Sequence, residues 1–192
     1  MDGIDPTMLA GKVVWVTASA RGLGRAIAER LAKCGASMVV HSRSDKTPAE
    51  FGEANSTHDV ADEMAKIGNP ITTVFADVSD PDQVKAAVAK IEEDLGPIDI
   101  LVNNAGGDIA AKGGKPEPNG AYDVSSEDVK SILDRNLITT VDCCREVVPG
   151  MIARGSGRIV NIGSVAGFAG RSDGVLYASA KAAQANYTRC LA

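Results

Sequence analysis

A doubly wound α/β fold, a parallel sheet with helices on both faces, follows from three features of the sequence. Five short runs rich in β-branched and apolar residues recur along the chain, and each leads into a stretch with helical period. A glycine-rich turn stands between the first run and its helix. No internal repeat or low-complexity segment interrupts the alternation. Successive parallel strands need crossover connections, and these are right-handed. A length of 192 residues suits one domain with a sizeable core.

The first strand is Lys12 to Thr17, apolar and β-branched as a buried strand should be. After the turn Thr17-Ala-Ser-Ala-Arg-Gly-Leu-Gly24, apolar residues at 23, 27, 28, 31 and 32 mark a helix that Gly35 closes. Ser37 to Ser42 is the second strand. The polar segment Ser44 to Thr57, with Pro48 and Gly52, reads as an extended loop. Val60, Ala61, Met64 and Ile67 mark a helix that stops at Gly68-Asn-Pro70, and Ile71 to Phe75 is the third strand.

Asp80-Pro81-Asp82-Gln83 starts the next helix, with an N-cap carboxylate, proline at N1 and glutamine at N3. Val84, Ala87, Val88, Ile91 and Leu95 form its buried stripe up to Gly96-Pro97. Ile98 to Val102 is the fourth strand, and Gly107 to Ala121 a loop. Ser125 to Arg154 reads as one long helix with a stripe from Val129 to Ile152 and Asn136 at its middle. The fifth strand, Arg158 to Ile162, precedes a final helix that holds Tyr177. The expected architecture is Rossmann-like, three layers α/β/α, ending with the helix after the fifth strand.

Composition excludes several classes. A net charge of −5 argues against a nucleic-acid or anionic-membrane surface. No apolar run approaches the ~20 residues needed to span a bilayer, and the N-terminus lacks a basic-then-apolar signal. Cys34, Cys143, Cys144 and Cys190 lack metal-ligand spacing and read as thiols of a reducing cytoplasm rather than a disulfide framework. His41 and His58 have no HExxH-type partner, so no metal site is expected. Residues 1–7 resemble an expression leader, with Met8 the natural start and 8–192 a single domain.

Two stretches carry chemistry. A small-residue loop between strand and helix is the setting in which helix N-terminal amides hold a dinucleotide's pyrophosphate. Gly22 and Gly24 let the backbone approach phosphate. Dinucleotide folds commonly place a carboxylate after the second strand for the ribose 2′-hydroxyl. Here that place has Ser42 and Arg43, and Arg21 lies in the loop itself. Two guanidiniums suit a 2′-phosphate and favour NADP(H) over NAD(H); the alternative for Arg43 is a solvated loop residue. Asn103-Asn104-Ala105-Gly106 lies at a strand's carboxyl end, where open α/β sheets bind ligands. In the second stretch, Tyr177 and Lys181 are i and i+4 neighbours on a helix, after Ser164 at the end of the fifth strand. A tyrosine hydroxyl ordinarily titrates near pH ~10, and a neighbouring ammonium in a poorly solvated cleft favours the phenolate. By spacing alone the pair could also be a surface pair, and Asn136 a solvent-facing helix residue.

In combination these residues resemble the short-chain dehydrogenase/reductase family. Thr17 to Gly24 is similar to its T-G-x-x-x-G-x-G motif, with Ala18 in place of the first glycine. Asn103 to Gly106 matches its N-N-A-G, and Ser164, Tyr177 and Lys181 its Ser and Y-x-x-x-K pattern. Asn136 falls where the family has an asparagine, and Asp77-Val78 resembles its adenine-contacting pair. The resemblance covers residues 10–192 and implies catalytic roles for Asn136, Ser164, Tyr177 and Lys181. Tyr177 is then the general acid/base, Lys181 a ribose ligand that favours the phenolate, and Ser164 orients the substrate oxygen. Asn136 holds a water of a proton relay. It implies a cofactor site made of Thr17, Ser19, Arg21, Gly22, Leu23, Gly24, Ser42, Arg43, Asp77, Val78, Asn103, Ala105 and Gly106, with Tyr177 and Lys181. The wording of the glycine loop is nearest to ketoacyl-carrier-protein reductases. The reaction implied is hydride transfer between NADP(H) and a carbonyl or secondary alcohol, in a cytoplasmic homodimer or homotetramer. Ala18 adds a methyl at a tight turn, tolerable if its φ is negative and otherwise expected to weaken cofactor binding. Members usually continue well past this chain's end, so the expected alternative is a nucleotide-binding fragment without turnover.

Overall fold

The computed structural model describes residues 5–192. Of the leader expected at 1–7, residues 1–4 lie outside the described residues. Asp5 to Thr7 begin a turn in which Asp5 Oδ1 accepts from the Thr7 amide at 2.8 Å. The chain divides into two compact parts, residues up to 104 with 143–160, and 105–142 with 161–192.

The first part is built on the sheet. Strands β1 (Val13–Val16), β2 (Ser37–Ser42), β3 (Ile71–Phe75), β4 (Ile100–Asn103) and β5 (Arg158–Asn161) lie in the order β3-β2-β1-β4-β5. Val14 pairs with Met38 on one side and Ile100 on the other, and Val39 pairs with Thr72, all in parallel. At β5 the Arg158 amide donates to Asp99 O at 3.0 Å. β1 is buried along its whole length, with Trp15 at its centre, because a central parallel strand is covered on both faces. The order turns back on itself at β1, so the carboxyl ends of β1 and β4 stand side by side.

Helices α1 (Gly22–Lys33), α3 (Thr57–Ala65) and α4 (Pro81–Leu95) pack on these strands. α4 starts as its sequence demands: Asp80 accepts from the Asp82 and Gln83 amides, and Gln83 Nε2 donates back to Asp80 at 2.8 Å. The segment expected to be an extended loop, 44–57, contains a short helix, α2 (Thr47–Glu50), with Pro48 in its first turn. Pro48 and Thr47 are buried there, which the polar composition around them concealed.

The second part is helical. α5 (Ser126–Leu133) is capped by Ser125, whose hydroxyl accepts from the Asp128 amide. The single helix expected over 125–154 is instead broken into α5, a π turn (Asp134–Ile138) and α6 (Thr139–Ala153), whose residues from 143 on belong to the first part. A 3₁₀ turn (Val165–Phe168) and α7 (Val175–Leu191) complete this part, and α7 packs on α5, the π turn and the 3₁₀ turn. Gly167 permits the last contact: a Cβ there would lie 2.9 Å from Ala182 N. No helix among the described residues is long and apolar enough to cross a membrane.

Candidate functional site

In the first part the glycine turn is pinned from both neighbouring strands. Thr17 Oγ1 accepts from the Asn104 amide at 2.9 Å, and Thr17 O from Asn104 Nδ2 at 3.0 Å. From β2, Ser19 Oγ donates to Val39 O at 3.0 Å and accepts from the His41 amide at 2.9 Å. Gly24 is obligatory here, since a Cβ would fall 2.2 Å from Ala18 O. Gly22 opens α1 at φ +54°, and neither a side-chain cap nor an acidic first turn is present. The helix therefore presents its N-terminal amides to an anion. One anion is already in place: Glu53 Oε2 accepts from the Gly22 amide at 2.6 Å. Arg21 lies 4.0 Å from Glu53 and stacks on Phe51 at 3.5 Å from the ring centroid.

The expected cofactor residues divide by exposure. Arg21 is half-buried, Leu23 and Arg43 are exposed, and Asp77 is half-buried, with Oδ1 accepting from Ser79. Thr17, Ser19, Ser42, Val78 and Asn103 are buried. Ser19 is wholly enclosed and its hydroxyl is spent on β2, so that side chain shapes the turn. Ser42 likewise turns inward, its hydroxyl on Ser44 O at 2.7 Å and Thr57 Oγ1 at 2.8 Å, and braces the 44–57 segment. Asn103 Nδ2 donates to Cys144 Sγ at 3.5 Å. The spacing that marked these residues could not separate residues that shape the turn from residues that face outward.

In the second part Asn136 is fully buried inside the π turn. Its Oδ1 accepts from the Gly107 amide, and its Nδ2 donates to Gly107 O and Ile132 O, all at 2.9 Å. Gly106, at φ +149°, lies so close that a Cβ would be 2.7 Å from Asn136 Oδ1. The side chain thus stitches the backbone after the N-N-A-G motif onto the widened helix turn, a device common at functional sites. Both amide hydrogens are spent on carbonyls, which leaves one Oδ1 lone pair. Asn136→Leu should cost about 3 kcal/mol or more in urea unfolding, because buried backbone groups lose their partners. A change below ~1 kcal/mol would show that those bonds are replaced.

Ser164 caps the 3₁₀ turn, its Oγ accepting from the Ala166 amide at 3.2 Å, which leaves its own hydrogen to donate. Tyr177 and Lys181 lie on α7 as expected, with Lys181 Nζ 6.0 Å from the tyrosine ring centroid. Tyr177 is half-exposed, and its hydroxyl makes no hydrogen bond with the described residues. Lys181 is 5% exposed. Its Nζ donates to Ile162 O at 2.7 Å and Gln184 Oε1 at 3.1 Å, and Gln184 Nε2 donates to Thr140 Oγ1 at 2.8 Å. Two of three ammonium hydrogens are used and one remains. Burial among neutral partners pushes the ammonium down to about 8. Gln184 and Thr140 escaped the sequence reading; a glutamine one turn beyond the lysine was the available signal. Among the described residues no cluster of His, Cys, Asp and Glu is placed to hold a metal ion.

The sheet order, the glycine turn after β1 and the Tyr177–Lys181 pair on α7 together define a Rossmann-like α/β protein. Residues 12–192 match the family described as short chain dehydrogenase. A cyclohexanol dehydrogenase of Rhodococcus sp. (strain TK6) is 39% identical, over 98% of this chain and 70% of that protein. A ketoacyl reductase, HetN, of Nostoc sp. is 36% identical, over 92% of this chain and 55% of the relative. A solved 7α-hydroxysteroid dehydrogenase, complexed with NADH and 7-oxo glycochenodeoxycholic acid, matches with a TM-score of 0.83 at 28% identity, over 97% of this chain and 66% of that one. The chain belongs to the short chain dehydrogenase family, a family of oxidoreductases. It spans 55% to 70% of the length of these relatives.

Proposed function

We propose that the chain is the nucleotide-binding and acid–base portion of an NADP(H)-dependent oxidoreductase that interconverts a carbonyl and a secondary alcohol. The observation that carries this reading is the unspent donor set of the second part. The Tyr177 hydroxyl has no partner among the described residues, Ser164 keeps its hydrogen, and Lys181 keeps one N–H. Polar groups held by a rigid scaffold with bonding capacity in reserve are what a substrate oxygen requires.

The first part fits a dinucleotide on its own evidence. The Gly24 cradle would be filled by any Cβ, and the Gly22 amide already donates to an anionic carboxylate. Thr17 to Gly24 would hold the pyrophosphate and Asp77-Val78 the adenine end. Arg21 and Arg43 would hold a 2′-phosphate, and Ala105 and Gly106 with Lys181 the nicotinamide ribose. Bound there, the cofactor supplies or accepts the hydride. In reduction Tyr177 delivers its proton to the substrate oxygen, and in oxidation it takes that proton back. Ser164 donates a hydrogen bond to the same oxygen. The Lys181 charge stabilises the negative charge left on the tyrosine oxygen. Assembly as a homodimer or homotetramer in the cytoplasm belongs to the same reading, as does a ketoacyl or cyclic ketone substrate like those that the relatives' names imply.

The relatives' greater length supports a second reading, binding without turnover. Fluorescence titration with NADPH and NADH, followed by turnover on a panel of ketones, separates the two. NADPH should bind more tightly, and Arg21→Ala and Arg43→Ala should each weaken it by about tenfold while sparing NADH. Equal affinities in the wild type would remove the 2′-phosphate assignment, and binding with no turnover would favour the second reading.

A further inference from the structure

His41, the fifth residue of β2, has no part in the chemistry above, yet it is 2% exposed and holds the glycine turn. Its Nδ1 lies 2.8 Å from the Ala18 amide nitrogen. An amide nitrogen can only donate, so Nδ1 carries the lone pair and the ring proton is on Nε2. Nε2 accordingly donates to Ala76 O at 3.1 Å. The ring meets Trp15 edge-on, at 5.8 Å between centroids, which fixes its plane. Burial pushes the imidazole down to about 4, so it is neutral, as this bonding requires.

The residue it holds is unusual. Ala18 has φ +55° and is the one non-glycine residue with positive φ among those described. Alanine in that region is strained, and such a conformation persists only where its surroundings over-determine it. Ala18 also stands where the motif of the glycine turn has glycine, which adopts this φ without strain. Neighbouring bonds from β2 hold residues 19 and 20, including Ala20 N to His41 O at 3.2 Å, but the imidazole alone among them holds residue 18.

We propose that His41 is a positioning residue for the glycine turn: its Nδ1 acceptor holds Ala18 in a backbone conformation that glycine would adopt unaided, and so sets the turn for a nucleotide's phosphates. The last clause rests on the dinucleotide reading, whereas the clamp itself can be tested without ligand.

The test is a set of side-chain mimics in the full chain. In His41→Asn the Oδ1 stands near the place of Nδ1, and in His41→Gln the Nε2 stands near the ring Nε2 with no acceptor facing Ala18. In ligand-free protein followed by NMR, hydrogen exchange of the Ala18 amide should rise at least about tenfold in His41→Gln and stay near wild type in His41→Asn. NADPH affinity should fall about tenfold in His41→Gln and stay within about threefold in His41→Asn. Adding Ala18→Gly to His41→Gln should restore binding. Wild-type exchange and affinity in His41→Gln, or failure of Ala18→Gly to restore binding, would overturn the proposal. If His41→Gln does not fold, the double variant must recover the fold, and its failure to do so has the same force. A wild type that binds neither nucleotide defeats the cofactor reading, and the exchange rates still decide the clamp.

Discussion

Tyr177→Phe should lower turnover by about three orders of magnitude, within the ~10²–10⁴ that a positioned acid/base contributes, and leave NADPH affinity within about twofold. The substitution removes one oxygen and keeps the ring. That oxygen makes no hydrogen bond with the described residues, so folding loses little with it. Thermal unfolding should therefore shift by no more than a surface substitution would. Steady-state rates beside a nucleotide titration separate the two effects. Turnover within tenfold of wild type would reassign the acid/base. A parallel loss of affinity and stability would instead make Tyr177 a packing residue.

Lys181→Met should lower turnover by about a hundredfold or more, and it carries a signature in stability that Tyr177→Phe does not. In the fold the ammonium is pushed from its usual 10.5 down to about 8 by burial. Between those values the unfolded chain holds more protons than the folded one, so this group makes the protein more stable as pH rises. Below about 8 both states are protonated and its contribution is flat. Urea unfolding of wild type and Lys181→Met across pH 7 to 10.5 gives the difference directly. Wild type minus variant should increase through that window. A flat difference would mean that the ammonium is better solvated than its enclosure by Ile162 and Gln184 implies.

Much of the fold was legible because its physics is local. Ser37 to Ser42 and Ile71 to Phe75 were bounded correctly, since parallel strands read as short continuous apolar or β-branched runs, here one buried strand and one at the sheet's edge. The start of α4 was equally plain, because Asp80, Pro81 and Gln83 each act within one turn. The π turn was not legible. Asp134 to Ile138 contains no glycine or proline, and the widening accompanies bonds between Asn136 and Gly107, far away in sequence. Helical periodicity placed Tyr177 and Lys181 on one face, but the ammonium's partner Ile162 O depends on how α7 folds back on the backbone at residue 162. For Ala18 the outcome turned on the sign of φ, which no local pattern gives, and the observed +55° is the strained branch. Its support comes from His41, which the sequence marked only as lacking a metal-binding partner. That support depends on the side-by-side register of β1 and β2, which no local pattern records.

The contact between Glu53 and the Gly22 amide has one more consequence. The chain brings its own counter-anion to the helix mouth, so on the dinucleotide reading a phosphate would evict a tenant rather than fill an empty seat. On that reading nucleotide affinity would be a contest between two anions for one N–H. The segment around Phe51 and Glu53 sets the handicap in that contest without belonging to the ligand's own contacts.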